Sequence, residues 1–171
     1  MRALRILAWS LVLLTARVGL VAADAEIKVT GPAGTTAYTV SSLAAFSQSE
    51  CTVTDRHSQE AAKYAGVAVR ELLLKAGMPD GEAFRGRILR QAVQVQCADG
   101  YMVVFALADF DPAFSDRIII LALRRDGAPL SAKAGPFQLI VPGDKRPARW
   151  ARNVTAITIV PLGDPPAAAH P

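Results

Sequence analysis

The chain has 171 residues, 51% of them hydrophobic, and a formal net charge of +4. This length fits one compact domain rather than two. The first 23 residues contain three arginines and no acidic residue, so the remainder carries 16 basic residues against 15 acidic ones. A nearly neutral balance of this kind excludes nucleic-acid binding through a broad basic face.

The N-terminal segment is typical of a secretory signal peptide. Arg2 and Arg5 form a basic start, an apolar run follows over residues 6–14, and small residues precede a cleavage site after Ala23, with Ala25 as the alternative. The apolar run is shorter than the roughly 18 residues that a membrane-spanning helix needs. We therefore expect residues 1–23 to be removed on export to the periplasm or medium, which leaves no membrane span.

In chain order, alternating apolar and polar residues predict most of the strands, and apolar residues three and four apart predict the helices. Strands are predicted over residues 26–30, 36–40, 51–55, 61–64, 92–97, 101–107, 118–123, 137–141 and 154–160, and helical turns over 43–46, 67–76 and 108–114. Ser41 and Ser42 are the predicted caps of the first helix, and Gly77 ends the second. Since strands dominate, we predict an α+β, mainly β domain over residues 24–161.

Two Asp-Gly pairs mark tight turns. Asp99-Gly100 separates two alternating runs and predicts a β-hairpin, because both residues tolerate positive φ. Asp126-Gly127 marks a second turn. After Pro161 the chain is rich in proline and alanine, so residues 162–171 are predicted to form a disordered tail.

Cys51 and Cys97 are the two cysteines of the chain. In an exported protein an even number favours a disulfide, and this one would close a loop of about 45 residues and stabilise the fold by roughly 4 kcal/mol. The alternatives are redox exchange and thiolate ligation of a metal, although no histidine stands at ligand spacing beside the pair.

Four segments taken together resemble the sulfite-oxidase-type molybdopterin-binding oxidoreductase domain family, in particular its short, exported bacterial members. The segments are GVAVRELLLKAG (66–77), ADGYMVVFAL (98–107), DRIIILALRRDGAPL (116–130) and GPFQLIVPGDKRPARWARNVTAI (135–157). Each is common by itself, but their order and spacing fit the family over about residues 26–160. The resemblance implies a sulfite-oxidase-like mixed sheet with a few short helices.

The resemblance also implies a cofactor. Complete family members hold molybdenum through the dithiolene of a pterin and through one cysteine thiolate, which ends the strand before the loop that leads to the Gly66-like glycine. Here Thr54 or Asp55 stands at that position, and Cys51, the candidate metal ligand, lies three or four residues earlier. Complete members also have a longer N-terminal part that supplies much of the cofactor pocket.

Four basic residues surround Trp150 in what we name the basic turn, residues 144–152. They are Lys145, Arg146, Arg149 and Arg152. Several cations on one turn can hold a phosphate or carboxylate by charge-assisted hydrogen bonds, and the resemblance implies that they hold the cofactor's phosphate. The alternative is a solvated basic rim.

Three residues are candidates for catalysis. Cys51 would act as the metal ligand, His57 as a proton donor beside a bound anion, and the Tyr101 hydroxyl as part of a pocket. The structural alternatives are an exposed His57 in a polar loop and a Tyr101 that simply follows the Asp-Gly turn.

The resulting hypothesis is an exported molybdopterin-binding oxidoreductase-like protein with a pterin-type or other anionic ligand at the basic turn. Its redox role would require a redox partner protein. The alternative is a non-catalytic binding or interaction module that kept the fold and lost the metal site. The sequence leaves open which of the two applies, and so whether the protein is an enzyme.

Overall fold

The computed structural model describes residues 25–54 and 60–163. The predicted signal peptide (1–23), His57 and most of the predicted tail (164–171) lie outside this part of the chain. None of the described helices is long and apolar enough to cross a membrane.

The described residues form ten strands, two α-helices and four short 3-10 helices. The strands are β1 (Glu26–Gly31), β2 (Gly34–Thr39), β3 (Gln48–Thr54), β4 (Ala61–Ala68), β5 (Gln91–Cys97), β6 (Met102–Ala106), β7 (Ile120–Arg125), β8 (Ala128–Pro129), β9 (Gln138–Ile140) and β10 (Val154–Pro161). The α-helices are α1 (Val40–Ala44) and α2 (Val69–Lys75), and the 3-10 helices are Gly81–Ala83, Gly86–Arg90, Leu107–Phe110 and Pro147–Arg149.

The strands form two sheets. In the first sheet the order is β2-β1-β10-β5-β6, with β1 parallel to β10 and the other neighbours antiparallel. In the second the order is β3-β4-β7, and β7 pairs further with both β8 and β9, all antiparallel. A mixed, mainly β architecture with few short helices confirms the predicted fold class.

The core has two parts because the second sheet is apolar on both faces. One face contributes Val67, Leu121 and Leu139 to the main core, where they pack with α2 and the inner face of the first sheet. The other face carries a smaller cluster around Tyr64 and Ile140, against which Trp150 packs. The candidate site lies on this second face.

Close strand contact explains where α2 begins. Gly66 of β4 lies so near β7 that a Cβ atom would stand 2.0 Å from the Leu121 carbonyl oxygen. The backbone of residues 66–68 stays paired with β7, so α2 starts at Val69 rather than at the predicted residue 67.

Two local predictions need correction. The first helix begins at Val40, and its cap is Thr39 rather than Ser41 or Ser42, because the Thr39 side chain accepts from the Ser42 backbone N–H at 3.1 Å and the Ser42 hydroxyl accepts from the Thr39 N–H at 2.8 Å. At the predicted Asp99-Gly100 hairpin only Gly100 has positive φ. The Gly100 N–H donates to the Cys97 carbonyl at 3.1 Å, so the turn takes one residue more than a two-residue loop.

Candidate functional site

A cavity of about 290 Å³ lies between the second face of the second sheet, the β5–β6 turn and the basic turn. The sheet contributes Tyr64, Arg125 and Gln138, and the β5–β6 turn contributes Cys97 and Tyr101. The basic turn contributes Ala148, Trp150 and Arg152 among others. This volume is near the lower end of the range for small-molecule sites, roughly 300–1,000 Å³, and suits a compact ligand.

Gln138 is the polar group that the sheet places in the wall. It pairs with Ala122 of β7, which directs its side chain to the same face as Ile140. The residue is only 4% exposed, yet its amide makes no side-chain hydrogen bond with another described residue. Its amide atoms remain accessible from the cavity, so they can exchange hydrogen bonds with a ligand that has matching donors and acceptors.

Two arginines supply positive charge beside Gln138. Arg125 ends β7, and its guanidinium lies 5.8 Å from the centre of the Tyr64 ring, while its Nε donates to Asp126 at 3.3 Å. Arg152 is exposed and makes no ion pair with another described residue. Burial raises the pKa of Tyr64, although both arginines act in the opposite direction, so its phenol is protonated at neutral pH.

Hydrogen bonds fix the loop that closes the cavity. Trp150 donates from its indole N–H to the Val141 carbonyl at 3.0 Å, and its ring meets Tyr64 edge-on with the ring centres 6.3 Å apart. The Tyr101 hydroxyl donates to the Ala148 carbonyl at 2.7 Å. Tyr101 therefore lines the cavity, but the proton of its hydroxyl already has an acceptor in the protein.

The basic turn does not present its four cations to one point. Arg149 donates to Asp144 at 2.8 and 2.5 Å, and the pKa of Arg149 is raised by this hydrogen bond. The guanidinium also lies 4.8 Å from the centre of the Phe105 ring. Lys145 and Arg146 are exposed and stand outside the cavity wall. Of the four predicted residues, only Arg152 lines the cavity.

The two cysteines lie on different sheets. Cys51 of β3 is half-buried against the smaller apolar cluster, whereas Cys97 of β5 belongs to the main core and lines the cavity. Both are free thiols, so the predicted disulfide is not formed in this structure. The physical reason is that each strand directs its thiol into a different apolar cluster. Burial raises the pKa of both thiols, and for Cys97 the neighbouring Asp99 raises it further.

Among the residues of the cavity wall, the sequence did not indicate Tyr64, Arg125 or Gln138. Arg125 stands directly before the Asp126-Gly127 turn. A signal for Gln138 was available, since it is the one polar residue in the otherwise apolar run FQLIV. A polar residue within a buried strand either has a partner or faces a site.

The fold and this site can now be compared with known proteins. A family model described as the oxidoreductase molybdopterin binding domain matches residues 18–163. The chain therefore belongs to this family, which confirms the resemblance found in the sequence. A search of curated proteins gave no match.

Among solved structures, 27 chains match. One is the sulfane dehydrogenase SoxCD from Paracoccus pantotrophus, with a TM-score of 0.64 and 17% sequence identity. The match covers 85% of this chain but 40% of the SoxCD chain, so this chain spans about two fifths of that relative's length. At this identity the similarity concerns the fold.

The described residues do not fit the molybdenum centre that the family implies. The position expected to carry the thiolate is Thr54, the last residue of β3, or Asp55, which lies outside the described residues, and Cys51 is absent from the cavity wall. Cys97 is in the wall, but it lies at the end of β5 rather than at the end of β3.

Proposed function

We propose that this protein is an exported member of the molybdopterin-binding oxidoreductase domain family that binds a compact anionic ligand of the pterin type in the cavity beside Arg125 and Arg152. The observation that carries the proposal is the amide of Gln138, which lines the cavity together with Arg125 and Arg152 and makes no side-chain hydrogen bond with another described residue. A pterin ring offers an amide edge for hydrogen bonding and a flat face for Tyr64 and Trp150, and its anionic substituent would pair with the arginines.

Arg152 is the residue whose contribution to binding is simplest to isolate. It is exposed, lies outside secondary structure and makes no ion pair with another described residue, so its loss should leave the fold intact. A hydrogen bond to a charged group contributes about 1.5–3 kcal/mol, which corresponds to roughly 10- to 100-fold in affinity. We expect Arg152→Ala to lower the affinity for the ligand by this factor. Arg146→Ala is the matched control, because it removes the same charge from the basic turn outside the cavity.

Binding can be followed through Trp150, which is the only tryptophan of the chain after residue 23. Neopterin monophosphate would be titrated into the exported protein while tryptophan emission is recorded, with inorganic phosphate as a second titrant. Saturable quenching that Arg152→Ala weakens and Arg146→Ala preserves is the expected result. Equal loss in both variants would show that the ligand binds to the basic turn outside the cavity. The absence of any saturable change in emission would refute the proposed ligand.

The second candidate function is that of a non-catalytic binding module rather than a redox enzyme. Thr54 at the end of β3, in place of a cysteine, favours a module that kept the cavity and lost the metal site. Metal analysis and pterin fluorescence of protein purified from its native compartment distinguish the two. Pterin without molybdenum supports the module, and molybdenum together with pterin supports the redox enzyme and its redox partner protein.

Export to the periplasm or medium is part of the same proposal and has its own test. The support is the basic start, apolar run and small-residue site of residues 1–23. The mature protein recovered from the exported fraction should begin at Asp24, or at Glu26 if cleavage follows Ala25. A chain of intact mass that still carries residues 1–23 would contradict it.

A further inference from the structure

The outer strand of the first sheet, β6, has one free edge. It pairs with β5 on one side, where Val103 faces Val95 and Phe105 faces Val93. No backbone hydrogen bond from another described residue reaches its other side. A free edge is a row of unpaired N–H and C=O groups that can pair with a further strand.

The side chains of β6 do not protect this edge. Val103 and Phe105 point into the core, while Met102 and Val104 point outward and are 45% and 57% exposed. The strand, MVVFA, contains no charged residue and no proline. Proteins usually place one or the other on an exposed edge to prevent pairing.

The edges of the second sheet are better protected. In β3, Glu50 forms an ion pair with Lys63 of the neighbouring strand at 2.7 Å. The β8 edge is two residues long and contains Pro129. At the far edge of the first sheet, β2 also lacks a charged residue and a proline, but its exposed side chains are small, whereas β6 exposes Met102 and Val104.

The uncharged surface continues from β6 across its neighbours. Across the outward face, Val104 of β6 lies beside Gln94 of β5, which lies beside Thr158 of β10. In the same way Met102 lies beside Gln96, which lies beside Ala156. These positions on three adjacent strands carry no charge, although one fifth of the chain's residues are charged. An uncharged patch at a free edge indicates an interaction surface.

We propose that β6 pairs antiparallel with β6 of a second copy of this chain, with the twofold axis at Val104. In this register Val104 faces Val104 and Met102 faces Ala106, so large side chains oppose small ones and no like charges meet. The nearest acidic residues, Asp99 and Asp109, lie beyond the strand ends. The first sheet of one copy and the first sheet of the other then form one continuous sheet of ten strands.

The interface is small, because each copy contributes one strand of five residues and its outward neighbours. Interfaces of this size give weak, reversible association. We expect a dimer that forms as the protein concentration rises, and this dimerisation is independent of ligand binding in the cavity.

Sedimentation velocity over a range of concentrations tests the proposal on the exported chain. Val104→Lys should weaken association at least tenfold, since it places two lysines opposite each other. Ala37→Lys, on an exposed position of the opposite edge, should leave association unchanged. A wild type that stays monomeric up to about 1 mM, or a dimer that Val104→Lys does not weaken, overturns the proposal.

Val104→Cys provides a second measurement, whose positive result cannot be explained by unfolding of the variant. Directly opposed residues of an antiparallel pair have Cα atoms about 4.5–5.5 Å apart, which is within disulfide range. Mild oxidation should therefore give a covalent dimer linked at residue 104, identified by mass spectrometry, whereas Ala37→Cys should not. Absence of the 104–104 link in a protein that dimerises would show that the copies meet elsewhere.

Discussion

Replacing Asp144 by alanine should destabilise the protein without weakening ligand binding in the cavity. The Asp144 carboxylate accepts from Arg149 at 2.8 and 2.5 Å and from Arg117 at 3.2 Å. Arg149 also lies against the Phe105 ring. We infer that Arg149 holds the basic turn against the main core rather than holding a ligand.

The size of the effect follows from exposure. Exposed ion pairs contribute roughly 0.2–1 kcal/mol, whereas removal of one partner from a buried pair costs roughly 3–5 kcal/mol. The Asp144 side chain is 11% exposed, but those of Arg149 and Arg117 are 35% and 37% exposed, so solvent screens much of their charge. We therefore expect the free energy of unfolding to fall by about 2 kcal/mol, or about 4–8 °C in Tm for a domain of this size.

Urea unfolding followed by circular dichroism measures this change. Glu50→Ala is the matched control, because it removes an acid from the Glu50–Lys63 pair, in which both side chains are 55% exposed. The control should change stability by less than about 0.5 kcal/mol. If Asp144→Ala and Glu50→Ala unfold at the same urea concentration, the structural role of Arg149 is refuted. Loss of ligand binding at unchanged stability would assign Arg149 to the site instead.

Three further predictions follow from other contacts. Gly66→Ala should lower the free energy of unfolding in urea by about 3 kcal/mol, because its Cβ would overlap the Leu121 carbonyl, whereas Gly163→Ala, with open space around it, should have no effect. Iodoacetamide should label Cys97 slowly at pH 7, and mass spectrometry should show that labelling accelerates at a higher pH than for an exposed cysteine, because burial raises the pKa of the thiol. The stability that the protonated thiol contributes is present at neutral pH and declines as pH rises through its pKa. Gln138→Leu should keep or raise Tm, because the amide of Gln138 makes no side-chain hydrogen bond with another described residue. The same variant should abolish the fluorescence response to neopterin monophosphate. A large loss of Tm would contradict the assignment of Gln138 to ligand binding.

Local chemistry accounts for what the sequence predicted well. Strand alternation and the two Asp-Gly turns depend on neighbouring residues, so most strands were located to within a few positions. At Asp126-Gly127 both residues have positive φ, as a two-residue hairpin turn requires. The errors at Ser41, Ser42 and residue 67 arise where hydrogen bonds to neighbouring segments decide the boundary.

The candidate site was harder to predict because it is built from distant segments. The basic turn lies beside the cavity, but ion pairing with Asp144 holds Arg149 outside the cavity wall. Arg125 and Gln138 come from strands paired in the second sheet, and their proximity depends on the register of β7 with β8 and β9. No pattern within one segment carries this information.

The residues proposed to bind the ligand and the position expected to bind the metal lie on different segments of this fold. Tyr64, Arg125 and Gln138 come from β4, β7 and β9, whereas the resemblance to the family implies a metal thiolate at the end of β3, where Thr54 is the last described residue. A change at one strand end can remove the metal ligand and leave Gln138, Arg125 and Arg152 in place. Pterin content and molybdenum content therefore answer different questions about this protein, and a molybdenum-free preparation does not count against the cavity as a binding site.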